Sequence, residues 1–118
     1  MHAVIFEVQI KEGRRQDYLD LAAALRPELE KIDGFISVER FASLTTEGKL
    51  LSLSFWRDAE AVKRWREHAE HRAAQLKGRQ EIFADYRIRV VEVVRDYGMF
   101  AREEAPQQYL AVERPAAE

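Results

Sequence analysis

Apolar residues recur along this chain in six segments, four with a period of two and two with a period of three to four, and that order constrains the fold more than any single motif. Val4, Phe6, Val8 and Ile10 alternate with Glu7 and Gln9, the pattern of a strand with one face on a core. The opposite set, Ala3, Ile5, Glu7 and Gln9, is mixed, as expected of a face that looks into a cavity or a partner. After the turn Lys11-Glu12-Gly13 the period lengthens, and Tyr18, Leu21, Ala22, Leu25, Leu29 and Ile32 mark one side of a helix starting at Arg14. Pro27 lacks the N–H an unbroken helix uses, which predicts a kink or break near Leu25 and Arg26. Gly34 suits a left-handed cap.

A second strand is expected from Phe35 to Leu44, with Ile36 and Val38 on one face and Phe35, Ser37, Glu39 and Phe41 on the other. Thr45 to Gly48 makes a hairpin connection into a third strand, Lys49 to Trp56, where Ser52 and Ser54 leave space on their face and Trp56 closes one end of it. Asp58 then caps a second helix whose buried stripe is Val62, Trp65, Ala69, Ala73 and Leu76. His68, Arg72 and Gln75 lie along the border of that stripe beside Trp65, where donors and acceptors meet apolar surface and a pocket wall can form. Lys77-Gly78-Arg79 breaks the helix, and Ile82 to Arg95 is expected as a long last strand. The run Val90 to Val94, interrupted by Glu92 alone, is apolar on both faces. Two helices cover only one of those faces, so the second cover is expected from another subunit.

The order strand, helix, strand, strand, helix, strand defines an α+β, ferredoxin-like βαββαβ domain: a four-stranded antiparallel sheet with both helices on one face. It is placed at residues 1–98, and residues 99–118 form a C-terminal tail, disordered or a swapped arm, with two of the chain's three prolines. At 118 residues one core is expected. The net charge of −2, with 19 basic residues among 21 acidic ones, gives no footprint for nucleic acid. No apolar run reaches the roughly 20 residues of a membrane span, and MHAVIFEVQI reads as a strand rather than a leader, so a cytoplasmic protein is expected. The absence of cysteine excludes disulfides, thiolate metal sites and a cysteine nucleophile.

The strand ending in Phe55-Trp56, the tryptophan nine residues on at Trp65, the following HAEHRAAQLKGR and the last strand YRIRVVEVVRDY resemble the antibiotic biosynthesis monooxygenase family over roughly Met1 to Gly98. That resemblance implies a homodimer in which two sheets pack as a dimeric α+β barrel. It also implies one of two chemistries. The haem-degrading branch carries a histidine where this chain has Gln75, and a first-strand asparagine that falls near Glu7 or Phe6, so haem is disfavoured unless His68 or His71 acts as ligand. The cofactor-independent branch oxidises electron-rich phenolic rings with dioxygen; it needs aromatic walls, a base and an oxyanion donor. Here Trp65, Trp56, Phe41 and Tyr86 are candidate walls, His68 the candidate base, and Arg72 or Gln75 the candidate donor. Glu7, on the mixed face of the first strand, becomes a buried acid of raised pKa if it enters the barrel, or else sits at a solvated edge. His68 and His71 alone make a poor metal pair, and no cofactor or metal is expected. The leading expectation is therefore a homodimeric monooxygenase taking a small aromatic ligand. The alternatives are a non-catalytic ligand-binding or stress-related dimer, and a haem-binding variant.

Overall fold

The computed structural model describes residues 1–75 and 79–106, and side chains within α2 through Ala69. Its elements are β1 (His2–Ile10), α1 (Arg15–Glu30), β2 (Phe35–Ala42), β3 (Lys49–Trp56), α2 (Ala59–Gln75), a short α3 (Arg79–Ile82) and β4 (Phe83–Glu92). The four strands form one antiparallel sheet in the order β2-β3-β1-β4, the split βαβ arrangement. Among the described residues no helix is long and apolar enough to cross a membrane.

Register settles which face of each strand meets the helices. Val4, Phe6 and Val8 of β1 lie beside Ser54, Ser52 and Leu50 of β3 and beside Val90, Ile88 and Tyr86 of β4. Val4 and Val8 are buried in two separate clusters. One holds Trp56, Ala61 and Val62, with Trp65, Phe35, Leu29 and Ile32 packed on it. The other holds Ile10, Tyr18 and Leu50, with Phe6, Ile82 and Phe83 against it. The even residues of β1 therefore face the helices, as their spacing predicts.

The phase expected for β2 is wrong at its start. The register slips between Phe35 and Ser37, so Ile36 is an extra residue and Phe35 turns to the helix side, edge-on to Trp56 at 5.3 Å between ring centroids. Ile36 is left half exposed rather than sharing a buried face with Val38. The strand also ends at Ala42, not Leu44, because the Ser43 hydroxyl accepts the Thr45 and Thr46 backbone N–H groups and starts the turn. At the other end of the chain, Ile82 closes the single turn of α3, so β4 starts one residue later than expected. It ends at Glu92 rather than Arg95, although the Val93 N–H still donates to the Met1 carbonyl.

Helix α1 runs through Pro27 to Glu30 without the expected break. Pro27 and Ala23, whose carbonyl loses its donor, both lie on the exposed side. Water can satisfy that carbonyl, which makes the position tolerable. The helix closes with Lys31 as its C-cap, and Gly34 belongs instead to the following turn, where the Phe35 N–H donates to the Ile32 carbonyl.

Helix α2 begins as its sequence predicts. The Asp58 carboxylate accepts the Ala61 N–H at 2.9 Å, the geometry of an N-cap. Arg57 fixes this corner to the α1–β2 turn by a two-pronged contact to Asp33, 3.1 Å on each side, and by Nε to Asp58 at 2.9 Å. Hydrogen bonding from Arg57 holds both carboxyls below their ordinary values; for Asp58 the Ala61 N–H adds to this. Groups with depressed folded-state pKa stabilise fully above their unfolded pKa of about 3.9, and that stability is lost as pH falls through the lower folded values. Urea unfolding at about pH 6 and about pH 3 should show the drop, and Arg57→Gln should flatten it. An equal pH dependence in the variant would place the acid sensitivity elsewhere.

Beyond β4 the chain turns on itself. The Asp96 N–H donates to the Glu104 carboxylate at 2.6 Å, the Gly98 N–H donates to the Ala101 carbonyl, and the Arg102 guanidinium lies 5.2 Å over the Tyr97 ring. Most of the tail expected to be disordered or swapped, residues 107–118, lies outside the described residues.

Candidate functional site

Between the two core clusters a row of side chains crosses the helix-facing side of the sheet: Arg40, Ser52, Phe6 and Ile88, each aligned with the next by strand register. None of them is fully buried. Ser52 is the smallest of them, and it is partly exposed. Ser54, expected to leave space, does not, because its hydroxyl accepts the Trp56 indole N–H at 2.9 Å and the indole fills it.

Along β4 the helix side of the sheet is open. Tyr86, Ile88 and Val90 are 46%, 44% and 54% exposed, although their β1 neighbours Val8 and Val4 are buried. An aromatic group bounds this apolar floor: Phe6 lies edge-on to Phe83 at 5.9 Å and to Tyr86 at 5.7 Å, and Phe83 lies edge-on to Tyr18 at 5.8 Å. A partly covered apolar layer bounded by rings is the surface a flat, mostly hydrocarbon ligand fits.

The expected site residues separate into two groups on opposite faces. Trp65, His68, Trp56 and Tyr86 are on the helix side. Trp56 is completely buried and belongs to the core rather than to a pocket wall. Trp65 packs on it, ring centroids 6.2 Å apart, while remaining partly exposed. His68 is turned toward α1, its Nε2 3.6 Å from the Glu28 Oε1, and that nitrogen makes no hydrogen bond among the described residues. Phe41 and Glu7 lie on the other face, away from the helices: Phe41 beside Leu51, and Glu7 between Lys49 at 3.3 Å and Arg89 at 3.2 Å. In the single chain a hydrogen bond from Lys49, more than any other cause, holds the Glu7 carboxyl below its ordinary value, as at the solvated edge that is one of its two expected settings. Arg72 and Gln75 fall in the last turns of α2, and their side chains, like that of His71, lie outside those described.

Phe6, Tyr18, Phe83 and Glu28 were not singled out as site residues in the sequence. Phe6 carries the signal of a core residue, and only strand register shows that its neighbours are Ser52 and Ile88. Glu28 is forty residues from His68, and no local spacing links them.

The element order, the antiparallel sheet and the helices packed on one of its faces define a ferredoxin-like domain. The family model for antibiotic biosynthesis monooxygenase matches residues 1–77, and the chain belongs to that family. It is 50% identical over 93 residues to a jasmonate monooxygenase of Pyricularia oryzae, across 79% of this chain but only 43% of that protein. The chain thus spans less than half the length of the fungal relative. It is also 32% identical over 94 residues to the uncharacterized protein YqjZ of Bacillus subtilis, covering 80% of each. Among solved structures, the haem-degrader MhuD of Mycobacterium tuberculosis superposes with a TM-score of 0.68 at 18% identity, over 83% of this chain and all of that one, a likeness of fold. Of the positions at which the haem-degrading branch differs from this chain, the described side chains include those of the first strand, while His71 and Gln75 lie outside them. On the helix side the first strand presents Phe6, a hydrocarbon ring, while Glu7 is turned away and tied to two cations.

Proposed function

We propose that this chain is a monooxygenase that uses no cofactor and oxidises a small, electron-rich phenolic or quinol ring held in the layer between α2 and β4. The open apolar floor of Tyr86, Ile88 and Val90 supports this reading most directly, because it offers ring-sized greasy surface on the side of the sheet that carries the helices, α2 with Trp65 and His68 among them. His68 removes the acidic proton, from the phenol oxygen or from the sp3 carbon of its keto form, and leaves a phenolate with carbanion character at the ring carbon. Glu28 orients the imidazole, the arrangement of a base held by a third group. The carbanion reduces dioxygen, a carbon–oxygen bond forms, and loss of water leaves the quinone, with one oxygen atom in the product and one in water. Arg72 or Gln75 supplies the donor for the developing negative oxygen. The working form is a homodimer, sheet against sheet. Val91, on the face of β4 turned away from the helices, is exposed in the single chain, which supports a second cover there.

Oxygen uptake by the purified protein should be measured with dihydroxynaphthalenes, anthrones and, for its relation to the fungal enzyme, jasmonate, all with metals chelated. Uptake is expected to survive chelation and to fall about a hundredfold or more in His68→Ala, the usual worth of a general base. Undiminished uptake in that variant would remove His68 from the chemistry. Ligand-dependent quenching of Trp65 fluorescence with no oxygen consumed would make the chain a binding module instead.

A further inference from the structure

The rows of side chains that cross the helix-facing side of the sheet are not alike. Val38, Ser54 and Val4, level with one another on β2, β3 and β1, are buried, and so are Leu50 and Val8 further along β3 and β1. The row between them, Arg40, Ser52, Phe6 and Ile88, is at least partly exposed along its whole length. Its character also changes from end to end. Ile88 and Phe6 continue the apolar floor of β4, whereas Ser52 and Arg40 bring a hydroxyl and a cation. The Arg40 side chain makes no hydrogen bond or ion pair among the described residues, and its Nε is shielded from solvent. The charges nearest to it do not answer it. Arg26 on α1 shares a recess with Arg40 but is itself held by Glu30 at 3.1 Å, and Glu39, adjacent in sequence, projects from the opposite face of β2.

We propose that Arg40, with the Ser52 hydroxyl beside it, anchors a carboxylate carried by the ligand, so that the ring held over Phe6 and Ile88 is that of an acid with a short side arm. The inference rests on the reading of this layer as the ligand site and names the class of ligand it takes. A cation drawn partly out of water without a counter-charge is destabilising, and an anionic ligand offsets that where a neutral one does not. A guanidinium suits a carboxylate in particular, because two parallel donors, Nε–H and one Nη–H, meet its two oxygens. The separations agree with a short arm. Neighbouring strands lie about 4.8 Å apart, which sets the Arg40 Cα roughly 10 Å from that of Phe6, two strands away. An arginine side chain reaching along the row and an arm of one or two carbons on the ring span that distance together. Ser52 stands midway and donates its hydroxyl to the same carboxylate. A few polar groups at one end of an apolar site are what set the orientation of a ligand.

Calorimetric titration of the full chain under argon, where no oxidation consumes the ligand, tests this with a hydroxynaphthylacetate and its methyl ester against the wild type, Arg40→Gln and Arg40→Lys. The wild type is expected to bind the acid about tenfold or more tighter than the ester, the usual worth of a hydrogen bond to a charged group. Arg40→Gln should abolish that preference while leaving the affinity for the ester within about twofold. Arg40→Lys should keep part of it, since an ammonium retains the charge without the fork. The ester serves as the control for a purely structural role: a variant that weakened both probes alike would overturn the anchor. So would equal binding of acid and ester by the wild type, or a preference for the acid that survives Arg40→Gln, and in each case the layer would stand as a ligand site for neutral rings. Failure of the wild type to bind either probe would overturn the ligand layer itself, and the anchor with it.

Discussion

Trp56→Ala is expected to cost about 4 kcal/mol of folding stability, the range for deleting a large aromatic from a packed core. The indole is fully buried at the end of β3, edge-on to Phe35 and 6.2 Å from Trp65, and it fills the space under the first turns of α2 where Ala61 and Val62 pack. Truncation leaves a cavity that rigid neighbours on three elements cannot close. It also strips the Ser54 hydroxyl, itself buried, of the indole N–H that donates to it at 2.9 Å. Domains of this size are stable by roughly 5–15 kcal/mol in total, so the variant stands near the edge of folding at physiological temperature. Urea unfolding with an unchanged m-value is the measurement. The milder Trp56→Phe separates core from site: it should lose about 1–2 kcal/mol while leaving ligand affinity unaltered. A Trp56→Phe protein of near-normal stability with markedly weaker ligand binding would return Trp56 to the pocket wall that its sequence position suggested.

That tryptophan shows what spacing can and cannot tell. The alternation of β3 puts Trp56 on the same face as Ser52 and Ser54, and the structure agrees. Whether that face is open at Trp56 depends on Phe35, which reaches it only because β2 slips by one residue at its start. A strand's period carries no trace of such a slip, and every side chain before it changes face. Glu7 has a similar history. Its side of β1 was correctly set apart from the buried one, but the cations that lower its pKa come from Lys49 on β3 and Arg89 on β4, and only the pairing brings them together. The helices were more legible because their signals are local. The Asp58 cap lies three residues from the N–H it binds. The Trp65 stripe is a matter of angle along one helix, and Trp65 does pack on the core. For His68 the same angle gives the border of the stripe but not the element beyond it, which is α1 with Glu28.

Gly34→Ala is expected to cost about 3 kcal/mol, through two effects that act at the same atom. The residue occupies the third position of the turn Ile32 to Phe35 with φ of +93°, a conformation glycine enters freely and alanine does not. A methyl group built there would also sit 2.5 Å from the Cβ of Ala61, a residue with no exposed surface on the first turn of α2. Neither partner can give way easily. The Gly34 carbonyl accepts the Arg57 N–H at 2.8 Å, which holds the turn against the start of α2, and Asp58 caps the helix that carries Ala61. Relief therefore requires α2 to move off the turn, disturbing Trp65 and His68 on the same helix. If the second effect is real, Ala61→Gly made in the Gly34→Ala background should recover part of the loss despite the lower helix propensity of glycine, whereas Ala61→Gly alone should destabilise by about 1 kcal/mol. Thermal unfolding of the four proteins measures both. Additive losses in the double variant would leave the backbone conformation as the sole cause and the turn–helix contact without energetic weight. Recovery would show that the close approach of Gly34 and Ala61 helps to position the N-terminus of α2, the helix that carries Trp65 and His68.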